Sequence, residues 1–170
     1  MDKKTFLITG AGSGFGREVA LRLAASGDHQ VIAGVEIVAQ IQGLRDEARA
    51  RGLQLQVENL DVTDEADRQR AKHWDIDVLL NNAGIAEGGS SVDIPADNLR
   101  RQFEVNVFGP LLLSQIVARR MIARRSGRIV FMSSVAGLTV DPFTGAYSGS
   151  KHAVEAFAEA LRAELAEFGI

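Results

Sequence analysis

The chain has 170 residues, a formal charge of −3, 46% hydrophobic and 24% charged residues, and no cysteine. That composition suits one globular domain long enough to bury a core; it excludes disulfides, thiolate nucleophiles and cysteine-held metals, and it offers no basic surplus for nucleic acid or an anionic membrane. Met1-Asp2-Lys3-Lys4 leads straight into a short apolar strand without the apolar stretch of a secretory signal, and no run of residues is long and apolar enough for a membrane span, so the expected setting is soluble and cytoplasmic.

Short apolar runs alternate with helical patterns. Thr5–Ile8 reads as a first strand, running into the glycine-rich Thr9–Gly16. A helix follows with Val19, Ala20, Leu23 and Ala24 on one face. Gln30–Val35 is a second strand, 37–51 a polar helix, and Leu53–Leu60 a third strand. Residues 64–73 read as a short helix and Asp77–Leu80 as a fourth strand, ending at Asn81-Asn82-Ala83-Gly84. Residues 87–97 hold glycines, serines and Pro95 and read as a loop. A long helix over about 97–124 is expected to bend at Gly109-Pro110, because proline cannot donate to the helical ladder. Arg128–Met132 is a fifth strand, 136–146 a loop, and 147–168 a final helix with Val154, Phe157, Leu161, Leu165 and Phe168 at helical spacing. This rhythm means βαβ units with right-handed crossovers, hence a doubly wound parallel α/β sheet of the Rossmann type. The expected strand order is 3-2-1-4-5 within a single domain, 1–170.

Thr9-Gly10-Ala11-Gly12-Ser13-Gly14-Phe15-Gly16 lies where the first strand turns into the first helix. Such a turn exposes unpaired N–H groups at the positive end of the helix dipole, where a pyrophosphate can sit, and glycines let the backbone come close to it. There is no Gly-Lys-Ser/Thr, which rules out a P-loop. Glu36 stands 20 positions beyond Gly16, just past the second strand, where a carboxylate can accept from both adenosine ribose hydroxyls. Val35 occupies the more usual carboxylate position, and Glu36 as a solvated helix-start residue is the competing reading. Asp61, after the third strand, reads as a cap of the following helix, a role compatible with a further one toward a ligand.

Tyr147 and Lys151 stand four apart at a helix start and so share a face. A phenol is a poor base at neutral pH, and a neighbouring ammonium favours its ionised form, which suits acid–base work on alcohols and carbonyls. The pair alone is a weak signal that an amphipathic helix start explains equally well. Ser134 ends the fifth strand, on the side where open parallel sheets bind ligands, and lies 13 residues before Tyr147. Asn106 falls inside a helical pattern, where asparagine is unfavourable and needs a reason.

Taken together, and in this order along nearly the whole chain, these motifs resemble the short-chain dehydrogenase/reductases. The loop has that family's Thr-Gly-x-x-x-Gly-x-Gly form, Asp61-Val62 resembles its adenine-side pair, and the 13-residue spacing favours Ser134 over Ser133. The resemblance implies hydride transfer between a nicotinamide cofactor and the carbinol or carbonyl carbon of a small alcohol or ketone. It implies Tyr147 as general acid/base, Lys151 on the nicotinamide ribose, Ser134 on the substrate oxygen, and Asn106 in a locally opened helix that organises a proton relay. Gly10, Ser13, Gly14, Phe15, Gly16, Glu36, Asp61, Val62, Asn82, Ala83 and Gly84, with Tyr147 and Lys151, form the implied cofactor set. NAD is expected ahead of NADP, since the loop carries no cation, Glu36 is negative, Arg17 points away along the first helix and Arg45 lies far down the second.

Members of the family continue into two further strands and a substrate-covering loop, so 1–170 reads as a domain incomplete at its C-terminus, with the fifth strand left as an open apolar edge. The alternatives are a non-catalytic dinucleotide-binding protein, against which the joint presence of Asn106, Ser134, Tyr147 and Lys151 argues, or an inactive fragment. The alanines of the last helix suggest a homo-oligomer in the full-length protein. His29, His73 and His152 have no metal-ligand spacing and are expected in solvent. Arg119, Arg120, Arg124, Arg125 and Arg128 read as a solvated helix end.

Overall fold

A computed structural model describes residues 3–170. Its strands are β1 (Thr5–Ile8), β2 (Gln30–Val35), β3 (Gln56–Asn59), β4 (Val78–Asn81) and β5 (Arg128–Phe131). They form one sheet in the order β3-β2-β1-β4-β5 with every pairing parallel. The helices are α1 (Gly14–Ser26), α2 (Val38–Ala50), α3 (Glu65–Arg70), α4 (Ala96–Phe103), α5 (Gly109–Arg124) and α6 (Gly145–Leu165).

Alternation along the strands divides the interior in two, since successive strand side chains face opposite sides. Ile8, Val31, Ala33 and Val35 point to one face, where they pack with Ala20, Leu21 and Ala24 of α1 and Ile41 and Leu44 of α2. Leu7, Ile32 and Leu79 point to the other, against Leu113, Val117 and Met121 of α5. Strands buried on both faces read as continuous apolar runs, which is why β1, β2 and β4 are visible in the sequence.

Three elements differ from the sequence expectation. β3 is shorter, because Leu53 and Leu55 pack against the α1–α2 core without joining the ladder. The helix expected over 97–124 is two helices joined by a π turn at Glu104–Phe108. The interruption lies in the turn just before Gly109-Pro110: the backbone stays helical from Glu104 through Gly109 into α5, and Pro110 cannot donate to the carbonyl of Asn106 four residues back, so it removes a ladder bond from that turn. α6 begins at Gly145, which puts Tyr147 inside its first turn. His29 is also not free in solvent: its ring lies 4.9 Å from that of Phe6 and its Nδ1 is buried. The arginines near the end of α5 do more than complement a dipole. Arg124 reaches Asp75 at 2.9 Å and the Ile76 carbonyl, and Arg120 reaches the Lys72 and Trp74 carbonyls, tying α5 to the approach to β4.

β5 pairs with β4 alone among the described residues. Val130 and Phe131 of β5, Leu161 and Leu165 of α6, and Ile170 line a groove along its open side.

The strand order reverses between β1 and β4, and the carboxyl ends there are held by Thr9. Its fully buried Oγ1 accepts from the Asn82 and Ala83 amides, each at 3.0 Å. The Asn82 amide group returns the tie, donating to the Thr9 and Gly10 carbonyls at 2.9 and 3.3 Å. Thr9→Val keeps the shape but leaves two buried N–H groups without a partner. It is expected to cost about 2–3 kcal/mol in urea unfolding, whereas Thr9→Ser should cost far less; equal losses for the two would mean that shape, not the hydroxyl, matters.

Candidate functional site

A cleft opens over the carboxyl ends of β1, β2 and β4, at the place where open α/β sheets bind ligands. Gly10, Ser13, Gly14, Phe15, Glu36, Asp61, Val62, Asn82, Ala83 and Gly84 line it, so ten residues singled out in the sequence come together there. Gly16 lies beneath, packed so closely on the Asn82 side chain and the Gly10 carbonyl that a Cβ would overlap both. Gly12, Leu60, Ile37, Gln40, Ile85 and Val105 complete the lining. Sequence reasoning gave the last five no role here, because a lone apolar or amide side chain carries no chemical signature.

The glycine loop is shaped as an anion cradle. Gly10 has φ +64°, and a Cβ on it would stand 2.8 Å from Ala83 Cα, so both conformation and space require glycine. Ser13 is the N-cap of α1 but makes no side-chain cap hydrogen bond, and no acidic residue lies in the first turn. The first amides of α1 thus remain open to an anion. These features fit the pyrophosphate of a dinucleotide.

Asp61 sits at the cleft wall, and its Oδ1 accepts from the Thr63 amide and hydroxyl, each at 2.8 Å. It does not cap α3; that role falls to Asp64, which accepts from Asp67 N at 2.8 Å. Val62 is held by Arg68, which donates to its carbonyl at 2.8 Å, and by Gly109, whose absent Cβ would come within 2.7 Å of that oxygen. Glu36 is exposed at the cleft's far end. Neither arginine considered for that end is free: Arg17 is paired with Glu47, and Arg45 donates to the Val57 carbonyl at 2.7 Å.

Asn106 lies in the π turn, 2% exposed. Its side chain grips the Ile85 backbone as a neighbouring strand would. Oδ1 accepts from Ile85 N at 2.8 Å, and Nδ2 donates to Ile85 O at 2.9 Å and to Ser150 Oγ at 3.0 Å. Ser150 in turn donates to the Tyr147 carbonyl at 2.7 Å. Sequence reasoning missed Ser150, whose fully buried hydroxyl links the π turn to the first turns of α6.

Lys151 is 5% exposed, and its Nζ donates to the Met132 carbonyl at 2.8 Å. The same Nζ lies 5.8 Å from the centre of the Tyr147 ring. Burial without a compensating anion pushes the Lys151 ammonium below its ordinary pKa. A Cβ on Gly84 would stand 3.3 Å from Asn106 Oδ1 and 3.6 Å from Lys151 Nζ, so this glycine keeps open the end of the cleft where those two groups meet.

Ser133 and Ser134 separate clearly. Ser133 Oγ is buried without a partner beneath Gly137. Ser134 is half-buried at the carboxyl end of β5, and its Oγ accepts from Ala136 N at 3.2 Å, leaving its own proton free to donate. It makes no hydrogen bond to Tyr147 or Lys151 and does not line the cleft, so the structure does not bring these residues into a preformed triad. Among the described residues no cluster of His, Asp and Glu could hold a metal ion, and no helix is long and apolar enough to cross a membrane.

The family model for short chain dehydrogenases matches residues 4–170. The chain is 40% identical over 177 residues to the uncharacterized oxidoreductase YusZ of Bacillus subtilis (strain 168), a match spanning 100% of this chain and 62% of that protein. It is 36% identical over 174 residues to the oxidoreductase UcpA of Escherichia coli (strain K12), spanning 98% and 65%. It therefore covers less than two thirds of the length of either relative. A short-chain dehydrogenase from Streptomyces avermitilis superposes with a TM-score of 0.90 at 34% identity, over 100% of this chain and 63% of that one. A gluconate 5-dehydrogenase from Burkholderia cenocepacia J2315, solved in complex with NADP and tartrate, superposes with a TM-score of 0.91 at 29% identity, over 100% and 69%. With the family model matched over almost its entire length and the sheet order in agreement, the chain belongs to the short-chain dehydrogenase/reductases.

Proposed function

We propose that this chain is the cofactor-binding and proton-transfer part of an NAD-dependent oxidoreductase that interconverts a small alcohol and the corresponding ketone or aldehyde. The observation that carries the reading is the buried Lys151. An amphipathic helix start would leave a lysine at this position in water. Here it is nearly enclosed, bonded to a backbone carbonyl with no carboxylate beside it, and next to the sole tyrosine of the chain. An uncompensated buried cation is costly, and a role in binding and proton transfer accounts for its retention.

A nicotinamide dinucleotide, when bound, supplies or takes up the hydride. The α1 amides and Gly10–Gly16 would hold its pyrophosphate, Glu36 and Asp61 its adenosine end, and Asn82, Ala83, Gly84 and Lys151 its nicotinamide end. Ser134 would donate to the substrate oxygen and orient it. Tyr147 would give that oxygen a proton during reduction and remove one during oxidation, at its phenol oxygen. Lys151 would hold positive charge beside the tyrosine. Asn106, fully engaged with Ile85 and Ser150, would hold the cleft floor against α6. NAD is favoured over NADP because Glu36 is negative and because Arg17 and Arg45 are bonded elsewhere; the Burkholderia relative solved with NADP makes NADP the alternative. The remaining wall of the substrate pocket is assigned to the length of the relatives that this chain does not span. The exposed alanines of α6, among them Ala156, Ala160 and Ala163, suit a helix contact in a homo-oligomer.

Tyr147→Phe in the whole enzyme should lower turnover by about 10²–10⁴ while cofactor binding, followed by fluorescence titration, changes little. Near-normal turnover of the Phe variant would remove Tyr147 from the reaction.

Lys151→Met separates function from stability. In the folded state the ammonium has a depressed pKa, so between the folded and unfolded values the unfolded chain binds more protons and stability rises with pH. At neutral pH the variant should melt about 2–4 °C higher, for about 1 kcal/mol of relieved burial, and lose turnover. Its advantage should shrink as the pH rises through that window. A variant less stable than wild type at pH 7 would mean that the Met132 hydrogen bond outweighs the burial cost.

A further inference from the structure

The α2 side of the cleft holds one polar side chain with no part in the scheme above. Gln40 lies in the first turn of α2, half-buried, with its backbone N–H on the Ile37 carbonyl at 2.8 Å. Its side-chain amide runs back across the glycine loop. A Cβ built on Gly12 would overlap Gln40 Oε1 outright and come within 3.1 Å of Gln40 Cδ and 3.0 Å of Val35 Cγ1. Gly12, unlike Gly10, has no left-handed backbone, so what its lack of a side chain provides is the space in which this amide lies.

Several observations converge at this end. Gly12, Ser13, Glu36, Ile37 and Gln40 line it together. Asn59 donates to the Val35 and Glu36 carbonyls at 3.0 and 3.1 Å, which fixes the backbone from which Glu36 and α2 start. Arg17 and Arg45 are bonded elsewhere, so among the described residues no cation is aimed at the cleft here. Among the described residues no side chain or carbonyl takes up the Gln40 amide.

We infer that Gln40 is a specificity-determining residue: its amide, lying over Gly12, hydrogen-bonds the adenosine ribose and, beside Glu36, selects a 2′-hydroxyl over a 2′-phosphate. The inference rests on the dinucleotide reading above. A primary amide offers both a donor and an acceptor, which matches a hydroxyl that can accept and donate. A 2′-phosphate is an acceptor with close to two negative charges; it needs a cation or several donors and would meet the Glu36 carboxylate instead. Glu36 thus supplies the repulsion, and Gln40 the attraction that only the hydroxyl form can use fully. The two halves of a specificity difference are then carried by separate residues.

The test is calorimetric titration with ADP-ribose and with its 2′-phosphate, neither of which can turn over. Wild type should bind ADP-ribose more tightly. Gln40→Ala should weaken ADP-ribose about 5–10-fold and the 2′-phosphate less than about twofold, with an unchanged melting temperature, since the side chain is only half-buried. Gly12→Ala should give the same selective loss by displacing the amide. The double variant should be no worse than either single one, because both remove one contact. Gln40→Arg should tighten the 2′-phosphate form. If wild type binds ADP-ribose but Gln40→Ala leaves it unchanged, or weakens both probes equally, the Gln40 assignment fails and the dinucleotide reading survives. Tighter binding of the 2′-phosphate by wild type overturns the selectivity. Binding of neither probe overturns both readings at once.

Discussion

Everything at the ligand face depends on how the carboxyl ends of β1 and β4 are kept at the right separation. These neighbours diverge beyond the sheet, one into the glycine loop and the other into Asn82-Ala83-Gly84, so the ladder can no longer hold them. The Thr9 hydroxyl takes over, accepting two amides from the β4 side, and the Asn82 side chain answers with bonds to two carbonyls on the β1 side. The tie replaces the strand ladder by side-chain groups of matched capacity, so the Asn82 and Ala83 amides both find an acceptor. It also fixes how far Gly10 stands from Ala83, and hence where the first amides of α1 point. A ligand bound by backbone N–H groups requires this rigidity, since those groups cannot adjust as a long side chain can.

A second joint does for the other end of the cleft what Thr9 does for the first. Asn106 would be a poor residue in a regular helix, because its amide competes for backbone partners. In the π turn that competition is put to use: the amide bonds the Ile85 backbone on one side and Ser150 on the other. Three segments distant in sequence, the loop after β4, the α4–α5 junction and α6, are thereby locked within one hydrogen-bonded unit. Gly84 lies in its middle, between Asn106 and Lys151. A π turn inside a helix is rare and recurs at functional sites; here it serves to aim one amide at two neighbours.

How much of this the sequence discloses follows from what each feature depends on. The strand order and the two-sided core were readable, because β1, β2 and β4 are apolar on both faces and the helices between them are long enough to cross over. The extent of β3 was not: Leu53 and Leu55 carry the alternation of a strand, yet β2 offers ladder partners only from Ile32 onward, and pattern alone cannot tell packing from pairing. Gly109-Pro110 marked the place of the interruption, since a proline disturbs the turn before it and that turn is the π turn Glu104–Phe108. Its form was not legible, because the bonds of Asn106 to Ile85 and Ser150 are tertiary contacts. Among the candidate residues, those with distinctive chemistry or spacing were open to sequence reasoning: the glycines, Ser134, Tyr147 and Lys151. Gln40 and Ser150 were not, since each is an ordinary helix residue until the fold puts it against Gly12 or Asn106.

The charges around the cleft follow a consistent division. Most nearby cations are employed in holding elements together: Arg17 on Glu47 between α1 and α2, Arg45 on β3, and Arg68 on the Val62 carbonyl. What lines the cleft is backbone N–H, amide, carboxylate and apolar side chain, with no cation among the described residues; the buried Lys151 lies beside Gly84 at its end. A phosphate held only by amides and a helix dipole is bound through direction more than through net charge. On the reading proposed above, such a site would discriminate by where donors point, and an additional phosphate beside Glu36 would meet no free cation among the described residues. The same division explains why the lysine stands alone. Lys151 is held by the Met132 carbonyl alone, and among the described residues it forms no ion pair with a carboxylate.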